Sequence, residues 1–210
     1  MVQRKKVEID FDTSTDRSLI VEQALNDPAT LAALVDNLST DARRIRQFSA
    51  AVINLVAERQ PELLAPFIAQ LSDALHRPEA QTRWECLEAL ACLLVFDPAA
   101  CDEAVSGAEV SLYDEESGPA RLAALRFLTA YGALDARRSV RVWPLVDEAI
   151  QCYHGDPEFQ NMMVSVIAFA QGHISKEVRR ALAARMDFDA KFNKGVLQKR
   201  AVQIIEICDR

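Results

Sequence analysis

Cys152, Tyr153, His154 and Asp156 crowd one short stretch and resemble a metal or thiol site. A metal held in a protein needs several ligands at recurring spacings. Here a cysteine and a histidine lie across one turn with no second pair at metal-ligand spacing. The five cysteines stand at 86, 92, 101, 152 and 208 without a CxxC pair, so neither a zinc ribbon nor a disulfide framework is suggested. No GxSxG, P-loop, HExxH or Rossmann glycine pattern occurs. No catalytic, cofactor-binding or metal-binding residue is assigned, and no cofactor is implied. His76, His154 and His173 each follow a run read as helix, where the C-terminal end of the helix dipole favours a cation without any chemistry.

Two basic groups could bind anions. The string ALDARRSVRVW sets Arg137, Arg138 and Arg141 beside Trp143. A guanidinium next to an aromatic can stack a nucleobase or hold a phosphate. It equally suits a solvated turn with the tryptophan plugging a seam, which is the reading preferred here. Further arginines, at 43, 44, 46, 83, 121 and 126, cluster where helical segments open. They could form an anion stripe, or bond turn carbonyls and the carboxylates of an adjacent segment. A formal net charge of −7 and a pI near 5.1 favour the second reading and argue against nucleic acid or an anionic membrane. Acidic residues concentrate farther along each segment: Asp73, Asp102, Glu103, Asp114, Glu115, Glu116, Asp147 and Glu148.

The elements that position these residues follow a fixed period. Segments open at Asp41, Glu79, Gly118 and Pro157, and a truncated one opens at Val196; successive starts lie 38 or 39 positions apart. A period near 40 marks a stacked helical array. Each segment predicts a helix–turn–helix. In 41–78, Ile45, Phe48, Val52, Leu55 and Val56 form one apolar stripe, Gln60-Pro61 breaks it, and Leu64, Phe67, Ile68, Leu71 and Leu75 form the next. In 79–117 the stripe is Trp84, Leu87, Leu90, Leu93 and Leu94, and Gly107 predicts a kink or a close approach in the second helix. Trp143-Pro144 is expected to mark the start of the second helix of 118–156, and 157–195 repeats the plan. A closing helix over 196–210 should turn Val196, Ala201, Ile204, Ile205 and Cys208 inward. Laid on one another, Leu87 and Leu90 match Leu125 and Leu128 at 38, and these match Val164 and Ile167 at 39. Before the array, short helices are expected near 17–26 and 29–39, with Asn26 or Asp27 capping ahead of Pro28. Residues 1–16, with a β-like VEIDF, read as a flexible arm, and 17–210 as a single repeat domain. The start carries no apolar signal region and no run reaches membrane-spanning length, so a cytoplasmic protein is expected.

The opening strings NLSTDARRIRQFSAAVINL, LHRPEAQTRWECLEALACL, DEESGPARLAALRFL and FNKGVLQKRAVQII carry a named resemblance. Each is similar to the HEAT-repeat pattern, with ARM repeats the close relative: a turn, a small polar or proline position, an arginine, then an apolar run with alanine. The resemblance spans roughly 40–210. It implies an all-α, right-handed α-α superhelix of about four helix pairs plus terminal helices, in which second helices line a concave face. Gln160 departs from it, standing where Arg83 and Arg121 predict a basic residue. The function it implies is a non-catalytic scaffold that binds a protein or peptide. Asp73, Asp102, Glu103, Asp147 and Glu148 would form an acidic surface for a basic partner. The alternative is a HEAT-like nucleic-acid binder or DNA glycosylase using Arg137, Arg138, Arg141 and Trp143, though no converging aromatic and aspartate motif is visible. Whether copies associate is left open.

Overall fold

The computed structural model of the chain describes residues 16–210. The arm expected over 1–16 therefore lies outside the described residues except for Asp16, which caps the first helix by accepting the Ser18 N–H. Among the described residues there are eleven α-helices, three short 3-10 segments and no strand. They gather into two compact units, one ending at Gly107 and the other running Ala108–Arg210.

In the first unit, α1 (Arg17–Asn26) and α2 (Pro28–Asp36) are separated by Asp27. Its carboxylate accepts the Ala29 and Thr30 N–H groups while Pro28 fills the first turn, where its missing N–H costs nothing. α2 stops at Asp36 and a 3-10 turn, Asn37–Ser39, completes the span expected to be helical. α3 (Arg43–Arg59) buries Arg46, Ser49, Ala50, Ile53, Val56 and Ala57, whereas Ile45, Phe48 and Leu55 of the expected stripe are only half-buried. The face is turned because α3 packs against α1, α2 and α5 together. The next element begins as a 3-10 helix, Pro61–Phe67, and becomes α4 (Ile68–Ala74) only after Pro66, whose ring and lost N–H oppose α-helical bonding. α5 (Ala80–Leu93) is followed by a 3-10 turn, Ala100–Glu103, and by α6 (Ala104–Leu112), which carries the boundary between the units. Gly107 is a close approach: an added Cβ would lie 2.6 Å from Leu75 Cβ.

The second unit holds α7 (Gly118–Gly132), α8 (Ala136–Cys152), α9 (Phe159–Gln171), α10 (Lys176–Phe192) and α11 (Gly195–Cys208). α7 packs on α8 and α9, and α11 on α9 and α10. α8 corrects an expectation. It starts at Ala136, capped by Asp135, so Pro144 lies inside the helix rather than at its start. Pro144 is on the exposed side, where water can satisfy the carbonyl that its missing N–H leaves free. The apolar register also shifts. Val164 is 50% exposed and Ile167 half-buried, while Met163 and Val166 are buried. The matches to Leu125 and Leu128 therefore run at 38 rather than 39, and one residue of slip rotates a helical face by about 100°. In α11, Ala201 and Ile204 are buried, Ile205 and Cys208 half-buried, and Val196 exposed, because Gly195 at φ 71 opens the helix in solvent.

Candidate functional site

Of the arginines at the segment openings, Arg46, Arg83 and Arg121 bond turn carbonyls, whereas Arg43, Arg44 and Arg126 are exposed. Arg46 forks onto Glu79, with Nη2 to Oε2 at 2.9 Å and a shorter contact from Nε, and its Nη1 donates to the Thr40 carbonyl at 2.7 Å. Thr82 donates to the same carboxylate. Arg121 repeats the plan in the second unit: Nη2 lies 2.7 Å from Asp156, and Nη1 donates to the Asp114 carbonyl at 2.6 Å. Arg83 donates to the Arg77 and Pro78 carbonyls. Each side chain thus reaches back to the turn before its helix, and two of them reach forward to a carboxylate at the junction with the next segment. Gln160, the departure from the pattern, reverses the direction: its backbone and side-chain oxygens accept from Arg200 on α11.

The Arg/Trp group does not converge as its sequence suggests. Arg138 pairs with Asp135 at 2.6 Å, and both Arg138 and Arg141 lie over the ring of Tyr131, at 5.3 and 5.7 Å. Arg141 also donates to the Tyr131 hydroxyl at 2.9 Å. The stacking partner is therefore a buried tyrosine on α7, while half-buried Trp143 takes no part in these contacts and Arg137 is exposed. Tyr131 was missed because it lies ten positions upstream, on a different helix.

The acidic candidates divide between the units. In the first, Asp73 is an exposed residue of α4 paired with Arg77 at 3.0 Å, Asp102 is half-buried on the turn before α6, and Glu103 is exposed beside it. In the second, Asp147 on α8 is forked by Arg185 of α10 at 2.5 and 2.9 Å. Its neighbour Glu148 accepts the Tyr113 hydroxyl at 2.6 Å. Burial, and then the Glu148 carboxylate, push the Tyr113 phenol up, so it remains a protonated donor. Asp147 is thus matched by a cation, whereas the partner of Glu148 is a neutral hydroxyl.

The Cys152 stretch is dispersed. Tyr153 donates to the Leu112 carbonyl at 2.5 Å, Asp156 holds Arg121, and His154 stacks on Phe159 and sits 3.4 Å from buried Asp189. Cys152 is exposed and free. Burial pushes the Cys86, Cys92 and Cys208 thiols up, which disfavours the nucleophilic thiolate. Among the described residues no three His, Cys, Asp or Glu side chains gather as a metal site.

Comparison of the whole fold is informative where comparison of sequence is not. No known family profile matches the sequence, and no curated protein matches it either. Among solved structures, a designed armadillo repeat protein in complex with the peptide (KR)4 is similar at a TM-score of 0.73 and 14% identity, over 91% of this chain and 90% of that one. An archaeal HEAT-like repeats protein from Thermococcus onnurineus NA1 is similar at 0.56 and 12% identity, over 93% of each chain. The chain is a HEAT/ARM-like repeat solenoid. An engineered protein matches this solenoid end to end, at a TM-score of 0.72 and 14% identity over 99% of each. In this solenoid Arg46, Arg83 and Arg121 each tie a turn to the helix that follows it. Among its described residues no helix is long and apolar enough to cross a membrane.

Proposed function

We propose that this solenoid is a non-catalytic cytoplasmic interaction module that binds a basic protein segment on the exposed surface of its second helices. Asp73, Asp102 and Glu103 would serve the first unit, and Glu148, with Asp147 behind it, the second. The observation that carries the reading is the fate of the charges. Arg46, Arg83, Arg121, Arg138 and Arg141 are engaged by carbonyls, carboxylates and Tyr131, whereas Glu103 and Glu148 stand exposed and Glu148 meets only the neutral Tyr113 hydroxyl among the contacts described. With a net charge of −7, the surface left to solvent favours a cationic partner. A designed armadillo repeat protein of similar fold holds the alternating basic peptide (KR)4, which supports the same chemistry here.

Affinity capture from the native host, with wild type and with a variant carrying Asp102, Glu103, Asp147 and Glu148 reversed to lysine, tests this reading. Proteins with basic segments should be recovered by the wild type and lost from the variant. Recovery of the same partners by both would refute it.

A further inference from the structure

We infer that a small cavity in the first unit is a seat for one long cationic side chain, an arginine or lysine of the partner; this rests on the reading proposed above and specifies its contact. The cavity lies between the end of α2 with its 3-10 turn and α4. It measures about 280 Å³ and is lined by Val35, Leu38, Ala69, Ser39, Gln70, Asp36 and Asp73. That falls just under the ~300 Å³ at which sites for drug-sized ligands begin, which suits a single side chain rather than a cofactor.

The lining is amphipathic in the way such a side chain requires. Val35 and Leu38 are buried and give an apolar floor, against which the methylene stem of arginine or lysine can lie. Asp36 and Asp73 are exposed and place carboxylates on the lining, on two different elements. Ser39 and Gln70 add neutral acceptors. An apolar or anionic group would satisfy only half of this set. The Asp73 carboxylate is shared with Arg77 in a single contact whose acid is 68% exposed. A surface pair of that kind is weak, so a cation entering the cavity displaces Arg77 at little cost. Arginine suits the lining better than lysine, because its planar fork offers carboxylates more donors than a compact ammonium does.

The same cation chemistry could come from a free small molecule, and the test separates the two sources. Labelled (KR)4 peptide is titrated by fluorescence anisotropy into wild type and into the Asp36→Asn/Asp73→Asn variant. Butylguanidinium chloride is titrated into both while the Ser39 and Gln70 amide shifts are followed by NMR. Circular dichroism checks that the variant folds, and Asp36→Asn alone is used where the pair does not. The inference expects about tenfold weaker (KR)4 binding in the variant, and Ser39 and Gln70 shifts with butylguanidinium in wild type only. A folded variant that binds (KR)4 like wild type, or wild-type amides that butylguanidinium does not move, overturns the cavity while leaving the basic-partner reading standing. Butylguanidinium shifts with no (KR)4 binding to any protein would keep the cavity as a small-cation site and sink the basic-partner reading. Silence in both arms sinks both.

Discussion

Arg46 and Glu79, 33 positions apart in the chain, meet as a two-bond fork whose side chains are only 11% and 2% exposed. The pair joins the N-terminal end of α3 to Glu79, the residue just before α5. It also closes the turn at Thr40, so one side chain sets the spacing of three chain segments. Arg121 and Asp156 repeat the device in the second unit at 12% and 23% exposure.

Breaking one partner of the buried fork should therefore cost more than replacing both. Glu79→Gln is expected to lose about 3 kcal/mol of unfolding free energy, because Arg46 is left desolvated without its counter-ion. The double replacement Arg46→Met/Glu79→Leu should lose clearly less. Urea denaturation of wild type and the two variants checks this, and equal losses in the single and double variants would contradict it.

The same fork gives a pH signature. The Arg46 hydrogen bond, against the opposing effect of burial, holds the Glu79 carboxyl below its ordinary value. A depressed carboxylate contributes stability that is fully present above the ordinary glutamate range and is lost as pH falls through the folded value. Stability measured from pH 7 downward should accordingly fall more steeply below about pH 4 in wild type than in Glu79→Gln. Parallel curves would show that Glu79 is not part of the acid limb.

Gly107 is a packing requirement. A Cβ there would fall 2.6 Å from Leu75 Cβ and 2.9 Å from its Cδ1, and a Cβ cannot swing aside. Although alanine is the better helix former, Gly107→Ala should destabilise by about 1–3 kcal/mol through overpacking. Leu75→Ala in the same chain keeps the Cβ that is struck, so it should not restore the Gly107→Ala loss. A stabilised single variant would show that propensity outweighs the contact.

The nucleic-acid alternative makes an opposite claim about Arg138 and Arg141. With both guanidiniums on Tyr131, the expected result is no salt-dependent retention of duplex DNA even at low ionic strength. Tyr131→Phe should instead register in stability, by about 1 kcal/mol for the lost hydroxyl. DNA binding that weakens in Tyr131→Phe would revive the alternative.

Local signals in the sequence were decisive where they concern adjacent residues. Asp27-Pro28 marks a cap and a first turn. The 38-residue recurrence located the helix pairs, and Arg46, Arg83 and Arg121 were read as bonding turns and neighbouring carboxylates. What failed depends on more than one element. Pro144 reads as a boundary, yet an exposed helix face tolerates it. The Val164 register misses by one residue, which only the packed neighbours of α9 correct. Among candidate site residues, Asp147 reads as an open acid because its partner Arg185 lies 38 positions on, across two helix boundaries. Asp36 carries no sequence signal at all; its place beside Asp73 arises from the pairing of two elements.

The central claim is that the acidic second-helix surface takes a basic segment. Its most direct test is the (KR)4 anisotropy titration of wild type beside the lysine-reversal variant of Asp102, Glu103, Asp147 and Glu148, run at two salt concentrations. Saturable binding to wild type, weakened by salt and by at least about tenfold on reversal, is the expected result. No binding to wild type, or equal binding to both proteins, would contradict it.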